Sequence, residues 1–457
     1  MIRAHIFKAN DIRGVATGPD PEWDADGAYA IGAATADVFE ISAGSGALVI
    51  GRDMRTTSPT LSAAFTEGVL SRGADVVDIG LASTDGLWFA SGSLGLPGAM
   101  FTASHNPGNY NGIKFCHPGA QPVEPAELVA IRDHALADPA PGPGAGTTAV
   151  RPGTRTERDL LGAYAAHLLS LVDLSGIRRL KVVVDAGNGM GGLTTPAVLG
   201  SQNLELVGLY LDLDGSFPNH PPNPLEPANL VDAQAAVREH GADLAVVFDG
   251  DADRCFVIDE RGEVVSPSAI TGLIAVRELA RDPGSAIVIN KITSHSVPEL
   301  VAAAGGRTVI TRVGHTFVKA AMAEHDAVFG GEHSAHFYFR DFWGADTGML
   351  AALHVLAAVG ESNEPLSELV EQYSLFAASG EINSTVDEVE PILHALEDHF
   401  GDRAVPDRID GLTLTGDGWW VNVRPSNTEP LLRLNVEAPT VDRVEALRDE
   451  ALAIIRA

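Results

Sequence analysis

Apolar residues along the chain gather in short runs, each followed by a polar, glycine-bearing loop and then a stretch of helical period. The first block begins with Ala47 to Ile50 (ALVI), continues through GRDMRTT to Ser58-Pro59, and predicts a helix ending near Leu70. Gly73 stops that helix, and ADVVDIG reads as the next strand. A second block has Leu180 to Val184 (LKVVV), the glycine-rich DAGNGMGGL, Thr195-Pro196, a short helix and LELVGLYL. A third has Ala286 to Ile289, NKITSHSVP, a helix to Ala304, and RTVI at 307–310. Ser or Thr at or beside Pro is N-cap and N1 chemistry, so each loop is expected to start its helix there. Strand, capped helix and strand over about 30 residues make the βαβ unit. The fold class expected is α/β: three related domains with largely parallel mixed sheets, whose working loops leave the carboxyl ends of strands.

Residues 137–154, ADPAPGPGAGTTAVRPGT, are rich in Pro and Gly and read as a loop or linker. The last stretch differs in kind. GLTLTGDGWWVNVRPSNTEPLLRLNVEAP alternates as strands around a loop, and VDRVEALRDEALAIIRA is an amphipathic closing helix. It predicts a smaller C-terminal α+β domain able to move as a lid. The domain limits expected are 1–150, 151–255, 256–372 and 373–457, the four arranged around a central cleft.

A chain of 457 residues is ample for three or four domains with cores that need no disulfide staples. The formal net charge of −30 repels phosphate backbones, and no basic cluster interrupts it, which argues against nucleic-acid binding. No apolar run has the length of a membrane span, and the first fourteen residues lack a signal-peptide pattern. Cys116 and Cys255 lie far apart in strand-like runs and read as reduced core residues, so a cytoplasmic location is expected. An anionic ligand would have to be held by local basic groups.

Two segments carry distinctive chemistry. FTASHNPGNYNGIKF, residues 101–115, packs Ser104 and His105 into a tight polar turn and returns a positive charge at Lys114. The Ser104 hydroxyl can carry a phosphoryl group covalently, and His105 can donate to it. Only five of the 31 basic residues are lysines, so keeping Lys114 points to a compact, tunable ammonium. AVVFDGDADRCFVID, residues 245–259, alternates Asp249, Asp251 and Asp253 after an apolar run. Three carboxylates so close repel one another and call for a hard divalent cation such as Mg²⁺. The spacing to Glu260 imitates an EF-hand, but Arg254 stands where that loop needs Gly, and strand patterns flank it.

Weaker pieces read anions or sugars. Asn10-Asp-Ile-Arg-Gly14 presents Arg13. Gly330-Gly-Glu-His-Ser-Ala-His336 offers Glu332, Ser334 and His336 for hydroxyls and proton transfer. Arg424-Pro-Ser-Asn-Thr-Glu429 gathers a guanidinium, two hydroxyls and an amide, a set suited to cradling a phosphate. GNGMGG at 187–192 lacks a following GK[ST] and reads as a tight βα turn.

TASHNP, DGDADR, GEHSAH and RPSNTEP, in this order over nearly the whole chain, resemble the α-D-phosphohexomutase superfamily. GEHSAHFYF is similar to its phosphomannomutase/phosphoglucomutase branch, with departures at His333, Ala335 and Asn10. The resemblance implies a phosphoserine at Ser104 and Mg²⁺ on Asp249, Asp251, Asp253 and the Ser104 phosphate. It implies that Arg254 faces the moving phosphoryl group, with Lys114, Arg13 and His336 as acid–base groups. Glu332 and Ser334 would hold sugar hydroxyls, and Arg424, Ser426, Asn427 and Thr428 the idle phosphate. Lys291, Gly314 and His315 fall where the family contacts sugar or phosphate. The activity implied is exchange between hexose 6-phosphate and hexose 1-phosphate of mannose and glucose, with hexose 1,6-bisphosphate as intermediate and activator. A monomer acting on small sugar phosphates, without nucleic acid or membrane, is the expectation. The residues alone leave open a metal-dependent phosphatase using an Asp of the 249–253 loop, or a non-catalytic metal- or sugar-binding protein.

Overall fold

The computed structural model describes residues 1–41, 46–137, 152–425 and 431–457. Most of the expected 137–154 linker lies outside the described residues. The chain divides into two compact units, one of Met1–Val265 with Ser334–Ser367 and the other of Ser266–His333 with Glu368–Ala457.

All three βαβ blocks form. Strands Ala47–Arg52 and Asp75–Leu81 pair in parallel across helix Ser58–Ser71. Leu180–Asp185 and Leu204–Leu209 do so across Gly191–Val198. In the second unit Ala286–Asn290 and Arg307–Thr311 pair across Ser296–Ala303. Each block extends into a sheet. Gly98–Phe101 adds in parallel beside Ala47–Arg52, and Tyr110–His117 turns back antiparallel to it. Likewise Leu244–Phe248 lies parallel to Leu180–Asp185 and is followed by the antiparallel Cys255–Asp259. Each of these two antiparallel returns creates a loop at the carboxyl end of a central strand. One loop holds Ser104 and the other holds Asp249, Asp251 and Asp253. Every residue of Leu244–Phe248 is buried, as a strand covered on both faces requires.

The C-terminal segment is α+β. Its strands Leu412–Gly416, Trp419–Pro425 and Leu431–Ala438 are antiparallel. Helices Val389–Phe400 and Val441–Ile455 contribute Leu393, Leu396, Val444 and Leu447 to the core beneath that sheet.

Helix initiation differs from the expectation. Thr57 does not cap Ser58–Ser71 with its side chain; its hydroxyl accepts from Asn111 Nδ2 at 2.8 Å, and Ser58 Oγ donates to Asp53 at 2.6 Å. These hydroxyls serve the loop network in preference to the helix end. In the second block the helix begins at Gly191, ahead of Thr195-Pro196, so Pro196 lies inside it. A Cβ at Gly192 would approach the Leu211 carbonyl oxygen to 2.0 Å, so this glycine lets the helix start against the segment that follows strand Leu204–Leu209.

The GNGMGG segment is a tight turn, with Gly187 and Asn188 both at positive φ. Glu260 accepts from the Ser367 amide and hydroxyl, which accounts for its carboxylate without an EF-hand. Cys116 and Cys255 are buried thiols rather than disulfide partners. Among the described residues, no helix is long and apolar enough to cross a membrane.

Helices Ala25–Val38 and Ser58–Ser71 touch backbone to backbone through Gly32 and Gly68. A Cβ at either glycine would come within 2.1 Å of a carbonyl oxygen on the other helix. Gly68→Ala should therefore cost about 1–3 kcal/mol despite its better helix propensity, because the helices must separate. Chemical denaturation of the purified variant checks the sign: stabilisation would contradict this packing.

Candidate active site

Ser104 follows strand Gly98–Phe101 by three residues and is 4 % exposed. Its φ of 49° is left-handed, which for a non-glycine residue costs on the order of 1–3 kcal/mol unless surroundings enforce it. Arg55 enforces it. This fully buried side chain pairs with Asp53 and donates to the carbonyls of Ser104, Asn106, Pro107 and Tyr110 at 2.7–3.1 Å. Thr102 Oγ1 accepts from the Ser104 amide at 2.9 Å. The turn is thus built around one guanidinium, whose planar fork suits several acceptors at once.

The acidic loop meets this turn closely. A Cβ on Gly250 would lie 2.4 Å from the Ser104 carbonyl oxygen, so only glycine permits the approach. Ser104 Oγ donates to Asp249 Oδ2 at 2.8 Å, and Arg254 donates to the same carboxylate from Nε and a terminal nitrogen at 3.0 and 2.8 Å. One oxygen from each of Asp249, Asp251 and Asp253 lies within 4.8 Å of the others, and all three residues are buried. Burial, only partly offset by Arg254, pushes the Asp249 carboxyl up to about 7. Burial also acts to raise Asp251, but Lys114 and the Thr84 hydroxyl outweigh it and hold that carboxyl below the usual range.

Lys114 comes from the antiparallel return strand, opposite Met100. Its Nζ donates to Asp251 Oδ2 at 2.8 Å and to Asp253 Oδ2 at 2.5 Å. Burial alone would favour the neutral amine; Asp251, Asp253 and Asp346 overcome it and keep the ammonium. The second oxygens of two aspartates, Asp251 Oδ1 and Asp253 Oδ1, are buried and have no hydrogen-bond partner among the described residues. A hard divalent cation satisfies such oxygens, so the donor set fits one.

His105 departs from the donor role expected of it. Its Nδ1 lies 3.2 Å from Ser104 Oγ and 2.6 Å from an Arg254 terminal nitrogen, which can only donate. Nδ1 is therefore an acceptor, and burial together with Arg254 pushes the imidazole down to about 2. Arg13 is held by Asn106 Oδ1 at 2.7 Å and Asp11 at 2.6 Å. Arg254 and His336 form an isolated antiparallel bridge; His336 Nε2 lies 3.8 Å from Asp253, and its Nδ1 2.9 Å from Ser334 Oγ. This unit therefore collects Ser104, His105, Lys114, Arg13, Arg254, Ser334, His336 and the three aspartates.

The second unit carries a separate polar set. Glu332 is 2 % exposed, and its Oε1 accepts from Asn290 Nδ2 and the Gly314 amide, each at 3.2 Å. Gly314, at φ 134°, precedes helix His315–His325. Lys291 Nζ pairs with Asp407 at 2.5 Å, and Arg424 with Glu381 at 2.8 Å. Ser426, Asn427 and Thr428 lie outside the described residues.

Reasoning from sequence passed over Asp53, Arg55, Thr84, Thr102 and Asn290. Arg52-Asp53-Met54-Arg55, charges between an apolar strand and a helix, was a usable signal for the first pair. Isolated threonines and a strand-end asparagine offer none.

The sequence matches the phosphoglucomutase/phosphomannomutase family along four successive segments. Alpha/beta/alpha domains I, II and III match residues 4–140, 162–262 and 266–376, and the C-terminal domain matches 381–454. The chain belongs to this family. It is an intramolecular phosphotransferase of the isomerase class. Among similar proteins, the "phosphohexose mutases" of Xanthomonas campestris pv. campestris are 41 % identical over 435 residues, 94 % of each chain. The phosphomannomutase of Escherichia coli K12 is 39 % identical over 448 residues, 96 % of each. The crystal structure of a phosphoglucomutase/phosphomannomutase family protein from Burkholderia thailandensis superposes with a TM-score of 0.87 at 31 % identity. It covers 100 % of this chain and 98 % of that one.

The Arg55 network generates the prediction for this site. Arg55→Met leaves Asp53 buried without its cation, and such a loss costs about 3–5 kcal/mol. The family chemistry should also fail, because the Ser104 turn loses its template. A melting temperature and activity both close to wild type would contradict that role.

Proposed function

We propose that this chain interconverts hexose 6-phosphates and hexose 1-phosphates, of mannose and of glucose, by passing a phosphoryl group through Ser104. The observation that carries the reading is the Ser104 hydroxyl: buried, held in a left-handed turn, and shared between Asp249 and Arg254.

Phosphoryl transfer asks for a positioned acceptor and neutralised charge more than for covalent ingenuity. In the forward half, the free hydroxyl oxygen of the bound sugar phosphate bonds to phosphorus as the bond to Ser104 Oγ breaks, giving a hexose 1,6-bisphosphate. The bisphosphate turns over, and its other phosphate returns to Ser104. Arg254 faces the moving group, and Arg13 adds a second positive charge. Lys114, held as an ammonium, donates a proton to the departing Ser104 oxygen. His336 takes the proton of the sugar hydroxyl. Asp249, Asp251 and Asp253 would hold Mg²⁺, which when bound supplies charge neutralisation for the phosphoryl group.

Glu332, and Ser334 two residues further along the chain, serve the sugar hydroxyls. Lys291, Gly314 and His315 contribute to sugar and phosphate binding, and the 424–428 loop holds whichever phosphate is idle. The Lys291–Asp407 pair means that a substrate contacting Lys291 must share or displace Asp407.

Mannose and glucose differ only at C2, whereas the hydroxyls assigned to Glu332 and Ser334 are those the two sugars have in common. A site that must take the bisphosphate in two orientations would have to read C2 twice. Mannose 1-phosphate and glucose 1-phosphate should therefore both react, with kcat/KM within about 100-fold of each other. The coupled assay is run beside Ser104→Ala, which should react with neither. By intact mass the wild type should carry one phosphate after incubation with a hexose bisphosphate, and the variant none. Near wild-type turnover by Ser104→Ala would sink the phosphoserine reading.

A further inference from the structure

One buried carboxylate takes no part in the phosphoryl transfer. Asp85 is the second residue of helix Thr84–Leu94 and has no exposed surface. Ser83 Oγ donates to its Oδ1, while Tyr164 OH and Thr347 Oγ1 donate to its Oδ2, each at 2.7 Å. These partners sit at three helix starts: Ser83 caps Thr84–Leu94, Tyr164 lies in the first turn of Leu161–Leu171, and Thr347 caps Gly348–Glu361. Burial pushes the Asp85 carboxyl up to about 6, held back only by the three hydroxyls. A carboxylate buried among neutral donors is an expensive way to join helices, since apolar packing would serve stability as well.

What it joins explains the choice. Thr84, its neighbour, donates its amide to the Asp251 carbonyl at 3.0 Å and its hydroxyl to Asp251 Oδ2 at 2.6 Å. Thr102 Oγ1 and Lys114 Nζ also donate to Oδ2, at 3.2 and 2.8 Å. All three contacts fall on one oxygen, and Oδ1 is left without a hydrogen-bond partner among the described residues. On the other side Gly348, next to Thr347, abuts the acidic loop: a Cβ there would come within 2.7 Å of the Arg254 carbonyl. One carboxylate thus fastens the helix start that grips Asp251 to the helix start that backs Arg254.

We propose that Thr84 and Asp85 are positioning residues for the acidic loop: Asp85 locks three helix starts together, and Thr84 turns Asp251 so that Oδ1 faces the cation. The proposal rests on the assignment of Asp249, Asp251 and Asp253 as cation ligands. Partners that orient ligands in this way typically affect metal affinity by 10–100-fold.

The test is direct Mn²⁺ binding by the full chain, read by the electron paramagnetic resonance of free Mn²⁺, beside steady-state kinetics. Thr84→Val should weaken Mn²⁺ about tenfold or more and lower kcat, with KM for the sugar phosphate little changed, while Thr84→Ser should restore both. Tyr164→Phe removes one of the three Asp85 donors and should weaken Mn²⁺ measurably, by about threefold or more. It decides the Asp85 part even if Asp85→Asn fails to fold. Folded Thr84→Val binding Mn²⁺ as wild type does would overturn the role of Thr84, and unchanged binding by Tyr164→Phe that of Asp85. A wild-type chain that binds no Mn²⁺ overturns the cation assignment itself, which separates the two failures.

Discussion

The mutual repulsion of three buried carboxylates is the constraint on which the rest of this site depends. Asp249, Asp251 and Asp253 are brought together by a hairpin loop between two fully buried strands, so none can retreat to solvent. Two cations answer them directly, Lys114 on Asp251 and Asp253, and Arg254 on Asp249. The formal sum of these five groups is 2 − 3 = −1. A divalent ion would turn it to +1, the sign needed beside a phosphate dianion. This is how a chain of net charge −30 can receive anionic substrates: the favourable field is local and built from few residues.

The second requirement is a hydroxyl held still against that loop. Ser104 meets it through a backbone conformation few residues adopt, stabilised from beneath by a guanidinium that no reacting atom needs to touch. Arg55 and Asp53 close the turn from the strand next door, and Gly250 admits the acidic loop to within contact of it. Strand order therefore has chemical consequences. Each of the two loops follows a central parallel strand and returns antiparallel, which places both at carboxyl strand ends, where an α/β sheet leaves room for ligands.

Much of this was legible in the sequence. Apolar runs, glycine-rich loops and helix-period stretches located all three βαβ blocks, because strand burial and helix amphipathicity are local properties of the chain. DGDADR announced its chemistry through charge density alone. What remained hidden was three-dimensional. That Thr57 and Ser58 answer Asn111, leaving the helix end uncapped, depends on a strand 53 and 54 residues away. That His105 accepts follows from Arg254 reaching it from a loop of another sheet. Thr84 and Asp85 were invisible for the same reason: the donors to Asp85 come from positions 83, 164 and 347.

The central claim is that Ser104 passes its phosphate to the sugar and not to water. It is tested most directly by labelling the Ser104 phosphate with ³²P and chasing with unlabelled glucose 1-phosphate in a single turnover. The account predicts label in hexose 1,6-bisphosphate first and then, as the other phosphate returns to Ser104, in hexose 6-phosphate, with little inorganic phosphate. Release of the label chiefly as inorganic phosphate would contradict it.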